Sequence, residues 1–466
     1  MLLAGVQTLV GRAREDFGGP DTPRQPQGAA VKGEFPVAAT SSPGSVRVLS
    51  ANMWGVPTSP LVRKRLRTLG AVLADYDLIA LQEVWHVRDR ALVRELAADA
   101  GLTYTHAFCH GSGMAVWPGQ HGTGLMIISR WPIVDVAYHR FSVTGRPYAF
   151  HQADYYGAKG IGWVRVASPH GLIDVFDTHL VAQYSADPHD EYSKTRLGQA
   201  FEHASFVSSV AGSTPFGGAG YVLPDGSRAV GPVILVVDMG DFNAPPNSLV
   251  VAAVHHLCGL RDAYAESDDG RAGKPGFTGE GPTGEAQRMD YIFYAYAPHQ
   301  PWLLEYARPL DDLVVPGEQP AVPVSDHAPV AASFRLVDSS TLLPLPLPQL
   351  PAAGTRDQTL TELVAEIEAG VVEIAARRNR HKLRFWRALA GLVAILLLSL
   401  FVSSRYAYTV VAIATYGSSA GQLFGGLLVQ ALSIGLVSVL PLMFMAVVLA
   451  GYVCVEFFLA WYTRGW

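Results

Sequence analysis

Two hydropathy regimes divide this chain. From Val46 to Val337 short apolar runs alternate with amphipathic stretches, the pattern of a layered α/β domain. The runs Val46 to Ala51, Leu78 to Gln82, Gly124 to Ile128, Gly162 to Val166, Ile173 to Thr178, Val233 to Val237, Tyr291 to Tyr294 and Ala328 to Phe334 predict strands. Helices are predicted over Leu61 to Asp75, Val87 to Ala100 and Asp190 to Val210, and the Gly-rich stretch Thr214 to Gly231 predicts an insertion loop.

Beyond Arg387 the alternation stops. Ala388 to Ser404 carries no charge, and Tyr406 to Thr463 carries one, Glu456. Crossing a hydrocarbon core of about 30 Å takes roughly 20 helical residues, so this tail has room for two spans or three, and two are expected. The expected pair is Trp386 to Ser404 and Leu436 to Trp461, a transmembrane hairpin. Tyr406 to Gln430, interrupted by Tyr416-Gly-Ser-Ser-Ala-Gly421, suits a loop, a re-entrant segment or a poor third span. The basic run Arg377-Arg-Asn-Arg-His-Lys-Leu-Arg384 with Arg387 precedes the first span, which predicts a cytosolic domain on an integral, multi-pass membrane protein.

The remaining segments frame these two parts. Residues 1–44 read as a disordered Pro/Gly/Ser-rich leader, residues 45–338 as one catalytic domain and residues 339–356 as a stiff Pro-rich spacer. Residues 357–384 read as an amphipathic helix opened by the capping pattern Thr359-Leu-Thr-Glu362, and residues 385–466 form the membrane region. The apolar stripe Leu360, Val364, Ile367, Val371 and Ile374 leaves three roles open: lying along the membrane, pairing with a second copy as a homodimer, or packing on the catalytic domain.

Composition changes the picture in two ways. An apolar fraction of 49% is high for a wholly soluble chain, and the tail accounts for it. The formal charge of -5 hides six Arg/Lys in the juxtamembrane run; the rest is acidic, which argues against nucleic-acid binding and aims the basic stripe at anionic phospholipids. Cys109, Cys258 and Cys454 have no metal-like spacing and suit a reducing compartment.

Polar residues that close apolar strands mark candidate chemistry, because sites in layered α/β folds assemble at strand ends while strand interiors pack. Five such places are Val48-Leu-Ser-Ala-Asn52, Ala80-Leu-Gln-Glu83, Phe176-Asp-Thr-His179, Val236-Val-Asp-Met-Gly-Asp-Phe-Asn243 and Val324-Ser-Asp-His327, and Arg288-Met-Asp290 opens a further strand. Singly, each has a structural explanation: a turn for Asn52 or Asn243, a helix start for Glu83, a satisfied core histidine for His179 or His327.

Together, and in this order, the segments resemble the endonuclease/exonuclease/phosphatase superfamily, which includes pancreatic-type deoxyribonucleases, inositol-polyphosphate phosphatases and neutral sphingomyelinases. The resemblance covers Val46 to Val337 and implies a DNase I-like, four-layer α/β/β/α sandwich with its site at one edge of two sheets. In such a site Glu83, a hard oxygen ligand, holds Mg²⁺ with help from Asn52, and the metal neutralises charge on the phosphoryl and leaving oxygens. His327 is the expected general base toward water, oriented by Asp290. Asp241 and Asn243 contact the nucleophile and phosphate, His179 donates to a phosphoryl oxygen, and Asp326 tunes the metal region or His327. The general acid is His179, Asp241 or a metal-bound water.

Asn52-Met-Trp-Gly55 and Glu83-Val-Trp85 look like the neutral sphingomyelinase and inositol phosphosphingolipid phospholipase C branch, including the form with a C-terminal pair of spans. So does Arg146-Pro-Tyr-Ala-Phe-His-Gln-Ala-Asp-Tyr-Tyr-Gly-Ala-Lys-Gly160, whose Asp154 and Lys159 match an Asp–Lys pair linked in that branch to switching between inactive and active arrangements. The implied activity is phospholipase C-type hydrolysis of a membrane lipid, sphingomyelin or inositol phosphorylceramide, with lyso-phospholipids as a third option. A nuclease or phosphoinositide phosphatase on the same fold is the alternative.

Overall fold

Runs rich in β-branched residues and leucine, separated by turn residues, form sheets here, and helices cover both outer faces. The computed structural model describes residues 44–109, 122–146, 149, 152, 154–186, 190–213, 219–222, 228–231, 233–297, 301–337, 353–416, 444–451 and 453. The leader lies outside the described residues apart from Gly44, as does most of the Pro-rich spacer.

In chain order the elements begin with β1 (Ser45–Asn52), α1 (Val62–Gly70), β2 (Leu78–Gln82), α2 (Val87–Asp99), β3 (Tyr104–Ala107), β4 (Met126–Ser129), β5 (Ile133–Arg140), β6 (Gly160–Ser168) and β7 (Gly171–His179). They continue with α3 (Ser193–Ser213), β8 (Ala219–Val222), β9 (Arg228–Gly231), β10 (Val233–Asp241), α4 (Leu249–Cys258), β11 (Arg261–Asp262), α5 (Ala263–Glu266) and α6 (Asp268–Arg271). The last are β12 (Gly279–Glu280), β13 (Ala286–Gln287), β14 (Asp290–Tyr296), β15 (Trp302–Pro309), β16 (Val330–Leu336) and α7 (Ala353–Tyr416).

One six-stranded sheet has the order β15-β16-β1-β2-β4-β3 and the other β11-β14-β10-β7-β6-β5. In each, one parallel pair, β1/β2 or β7/β10, is flanked by antiparallel strands. The two parallel pairs matter most, because their C-terminal ends carry the polar residues singled out above.

Three cores hold the layers together. Val48, Leu78 and Ile127 of the first sheet meet Val164, Val175, Val237 and Ile292 of the second. Outside the second sheet, Phe176, Val236 and Phe293 pack under Phe206 and Val207 of α3 and Val250 and Val254 of α4. Outside the first, Leu49, Ile79 and Leu81 pack under Leu66 and Leu69 of α1 and Leu92 and Val93 of α2. Each such side chain contributes roughly 1.5–3 kcal/mol by leaving water. The expected α/β/β/α order is thus present.

Sequence patterning failed where burial is one-sided or ambiguous. β3, β5 and β15 are edge strands of partial exposure, so polar residues dilute their apolar runs. α4 is an apolar stretch that periodicity alone cannot assign; Ser248 caps it by accepting from Val251 N (3.3 Å). Within the expected insertion loop β8 and β9 pair antiparallel, and the expected helix Leu61 to Asp75 breaks after Gly70 into a 3₁₀ turn, Leu73–Asp75.

The chain divides into two compact units, Met1–Ile367 and Glu368–Trp466. In the first unit the opening turns of α7 pack on the α/β sandwich. The face they use is Thr359, Leu363 and Ile367, with Leu363 fully buried, whereas Leu360 and Val364 of the expected stripe are 38% and 41% exposed. Thr359 is not a helix cap: α7 begins at Ala353, and the Thr359 hydroxyl donates to Thr355 O (2.9 Å) and meets His256 Nδ1 (2.7 Å). In the second unit α7 continues to Tyr416, and residues 444–451 are helical. A Cβ on Gly391 would lie 3.3 Å from Leu449 Cδ2. Among the described residues one helix, Thr355–Val402, is long and apolar enough to cross a membrane. Part of the second expected span, Leu436 to Trp461, lies outside the described residues.

The packing of Leu363 has a measurable consequence. Leu363→Ala should destabilise the catalytic unit by about 2–3 kcal/mol in denaturant unfolding of the detergent-solubilised protein; an unchanged midpoint would show that this turn is not part of the core.

Candidate active site

The register of the sheets sets the positions of the polar residues. Asn52 pairs with Gln82 at the end of β1/β2, so Glu83 follows one residue beyond; Asp241 pairs with both His179 and Asp290 at the end of the second sheet. One side chain joins the two edges. Asn52 Nδ2 donates to Glu83 Oε1 (3.1 Å) and to Asp241 Oδ2 (3.0 Å), and its Oδ1 accepts from Trp54 N (2.9 Å).

The histidines approach the same carboxylate. His179 Nε2 is 3.3 Å and His327 Nε2 4.0 Å from Asp241 Oδ2, and His327 Nδ1 is 2.8 Å from Asp290 Oδ2. Asn243 donates from its backbone N to Asp241 Oδ1 (2.9 Å) and from Nδ2 to Leu180 O (3.0 Å). Lys159 uses all three ammonium hydrogens, on Asp154 Oδ1 (2.8 Å), Leu180 O (2.7 Å) and His179 Nε2 (2.8 Å). His179 Nε2 thus lies between the Lys159 ammonium and Asp241 Oδ2, and its Nδ1 is buried with no partner among the described residues.

Of the sequence-derived residues, Asn52, Glu83, Asp154, Lys159, His179, Asp241, Asn243, Asp290 and His327 therefore form one connected group. Asp326 stands apart. It is exposed and accepts from Ser325 Oγ (3.1 Å), and only its charge reaches His327.

The backbone is strained where the group assembles. Trp54, Glu83 and Asn243 have positive φ (43°, 61° and 49°), at a cost of order 1–3 kcal/mol each that the surrounding packing must offset. Two glycines are required by close approach: a Cβ on Gly55 would come 2.0 Å from Glu83 O, and one on Gly240 2.2 Å from Thr178 O. The glycine of Asn52-Met-Trp-Gly55 thus lets the first turn lie against the residue after β2.

Electrostatics follow from burial and neighbours. Burial alone would raise the Asp241 pKa, but His327, His179 and Lys159 outweigh it and hold the carboxyl well below the usual range. For His327 burial works downward, and the carboxylates Asp290 and Asp241 prevail, holding the imidazole well above its ordinary value. Burial raises the Asp290 pKa against the pull of His327. Asp241 thus favours its ionised form beside an imidazole that holds its proton more tightly than usual.

A divalent cation fits this group. Among the described residues Glu83 Oε2 is buried and has no hydrogen-bond partner, although its other oxygen is bound by Asn52. A partnerless carboxylate oxygen at a strained, conspicuously acidic edge is the environment of a hard-metal ligand. Ligand atoms of Asp241, Asp290 and His327 also lie within 4.8 Å of one another. Asn52 turns its amide nitrogen toward the carboxylates, so its oxygen would reach a metal only after the amide turns over.

Sequence reasoning missed Arg65. Almost fully buried, it donates to Met53 O (2.8 Å), Trp54 O (2.9 Å) and Pro60 O (2.9 Å), and its guanidinium lies 5.0 Å from the Trp54 ring centroid. It clamps the turn that presents Asn52. Nothing in Arg63-Lys-Arg-Leu-Arg67 marks which basic residue points inward. Also missed was the inter-sheet bridge from Gln82 Nε2 to Asp177 Oδ1 (2.7 Å), whose fully buried carboxyl is pushed well above its ordinary pKa by desolvation.

The sandwich and its edge site define a class, and sequence comparison agrees. The chain belongs to the Endonuclease/Exonuclease/phosphatase family, whose profile matches residues 49–327. It is 29% identical over 303 residues to a Drosophila melanogaster protein provisionally named a neutral sphingomyelinase, covering 62% of this chain and 61% of that one. It is 26% identical over 371 residues to sphingomyelin phosphodiesterase 2 of Mus musculus (77% and 79% covered). A third relative, the inositol phosphosphingolipids phospholipase C of Schizosaccharomyces pombe, is 33% identical over 208 residues (44% and 42% covered).

If Arg65 holds the Asn52 turn, Arg65→Lys, which keeps the charge but loses the fork that reaches three carbonyls, should lower catalytic turnover roughly tenfold to hundredfold. Wild-type turnover in that variant would remove Arg65 from the account.

Proposed function

We propose that this protein is a membrane-anchored, Mg²⁺-dependent phospholipase C-type phosphodiesterase that hydrolyses a phosphosphingolipid, sphingomyelin or inositol phosphorylceramide, to ceramide and a phosphorylated headgroup. The observation that carries the reading is the partnerless Glu83 oxygen, linked through Asn52 to Asp241 and the His327–Asp290 pair. The relatives named for this chemistry choose the substrate class within the family.

Glu83 and Asn52 would hold the metal, which when bound supplies charge neutralisation at the phosphoryl and leaving oxygens. The remaining steps belong to the protein. Asp290, accepting from Nδ1, fixes the His327 tautomer and leaves Nε2 to take the proton of the attacking water. Ionised Asp241 stabilises the imidazolium that results. Asn243 and, once Lys159 releases its Nε2, His179 face the phosphoryl group as donors. The closed Asp154–Lys159 pair is then the resting arrangement of that pocket.

The apolar helix within Thr355–Val402 and the helical residues 444–451, close enough that Leu449 meets Gly391, support a transmembrane hairpin. With the basic run on the cytosolic side and attracted to anionic lipid, the enzyme would act on the leaflet that holds its substrate, at high effective concentration.

One assay tests the reading. Full-length protein with Mg²⁺ is given labelled sphingomyelin, inositol phosphorylceramide or lyso-platelet-activating factor in vesicles with and without phosphatidylserine at low salt, and separately phosphoinositide and plasmid DNA. Sphingolipid turnover, faster with phosphatidylserine, is expected; DNA nicking or phosphoinositide turnover without it would sink the proposal. Glu83→Gln and His327→Ala should each lower turnover roughly 10²–10⁴-fold.

The pH dependence has a defined sign. Only neutral imidazole accepts a proton, so the rate should climb with pH as His327 deprotonates. Asp290 is the largest influence holding that proton on, so Asp290→Asn should move the limb to lower pH while reducing the maximal rate. A shift to higher pH would contradict the assignment.

A further inference from the structure

The segment between α6 and β14 has no part in the chemistry derived so far, yet it touches both members of the His327–Asp290 pair. Thr278, 3% exposed, is its anchor. The Thr278 hydroxyl oxygen accepts from Met289 N (3.0 Å) and Asp290 N (3.2 Å). These two bonds fill both acceptor sites of the hydroxyl and hold the backbone that carries the Asp290 carboxylate.

The backbone of Thr278 completes the arrangement. Its N donates to Gln287 O (2.8 Å), and its carbonyl accepts from Ala328 N (2.6 Å), the residue directly after His327. At the next position, a Cβ on Gly279 would stand 3.5 Å from His327 Nδ1 and Cε1, so this strand runs along the edge of the imidazole ring. One residue thereby ties the start of β14, which carries Asp290, to the chain leaving His327.

We propose that Thr278 is the positioning residue of the catalytic pair: its hydroxyl fixes the backbone of Asp290, and so places the carboxylate that fixes the tautomer and direction of His327. Thr278 does not reach the reacting atoms itself and acts through Asp290. The inference rests on His327 being the base of the proposed reaction.

Thr278→Val keeps the shape and removes the hydroxyl, leaving the N–H groups of Met289 and Asp290 without their acceptor. Thr278→Ser keeps the hydroxyl and removes only a methyl group. The full-length protein carrying Thr278→Val, Thr278→Ser or His327→Ala is assayed with Mg²⁺ on labelled sphingomyelin and inositol phosphorylceramide vesicles, with melting midpoints measured in parallel. Thr278→Val should lower kcat roughly tenfold to hundredfold with KM within about twofold of wild type, and Thr278→Ser should keep kcat within about threefold. If the Val variant is not recovered folded, Thr278→Ala removes the same hydroxyl and carries the same expectation.

A purely structural role would lower the midpoint of the hydroxyl-free variant and leave kcat per folded molecule unchanged, which overturns the inference. A Ser variant as slow as the Val variant overturns it too, because the hydroxyl would then not be what matters. His327→Ala separates the two levels of the argument. An inactive His327→Ala beside a fully active Thr278→Val refutes the role of Thr278 alone, whereas wild-type turnover in His327→Ala refutes the assignment of the base and the inference with it.

Discussion

The hydrogen bonds of Asn52 to Glu83 and Asp241 are the contact on which the site depends, because Asn52 and Glu83 belong to one sheet and Asp241 to the other. Asp241 is almost fully buried. An ionised carboxylate in such surroundings must be compensated on every side, and the compensation here comes from the functional groups themselves: Asn52, the backbone N of Asn243, and the rings of His179 and His327. The sheets therefore do more than pack. Their register brings an anion from one edge to a donor from the other, and the cost of separating them keeps the edges together.

The same logic explains why the backbone tolerates three non-glycine residues at positive φ beside one another. Strain at Trp54, Glu83 and Asn243 is fixed by what lies around it: Arg65 on the carbonyls of Met53 and Trp54, Gly55 against the carbonyl of Glu83, and the Asp241 carboxylate on the backbone of Asn243. A relaxed turn at any of these points would swing a side chain away from the shared carboxylate. Preorganisation of this kind is what a phosphoryl-transfer site needs, since its work is positioning and charge stabilisation rather than covalent chemistry.

Much of this was legible in the sequence, for a physical reason. Buried parallel strands are nearly continuous apolar runs, so β1, β2, β7 and β10 announce themselves and the polar residues that end them stand out. Edge strands such as β5 and β15 alternate with exposed residues and did not. The residues that support the site were hidden for a different reason: Arg65 sits among four other cationic or aliphatic neighbours of equal prominence, and Thr278 lies in a loop whose sequence gives no hint that its hydroxyl meets β14. The stripe of α7 was legible in part: its member Ile367 packs on the domain, but a helix with apolar residues on several faces has more than one candidate contact face, and the fully buried residue is Leu363, between the expected Leu360 and Val364.

The central claim is that water, deprotonated by His327, attacks phosphorus and that the ceramide oxygen departs. Hydrolysis of sphingomyelin or inositol phosphorylceramide by the full-length protein in ¹⁸O-labelled water tests it most directly. The account predicts one labelled oxygen in the phosphorylated headgroup and none in ceramide. Label in the ceramide hydroxyl would mean that carbon, not phosphorus, is attacked, and would contradict it.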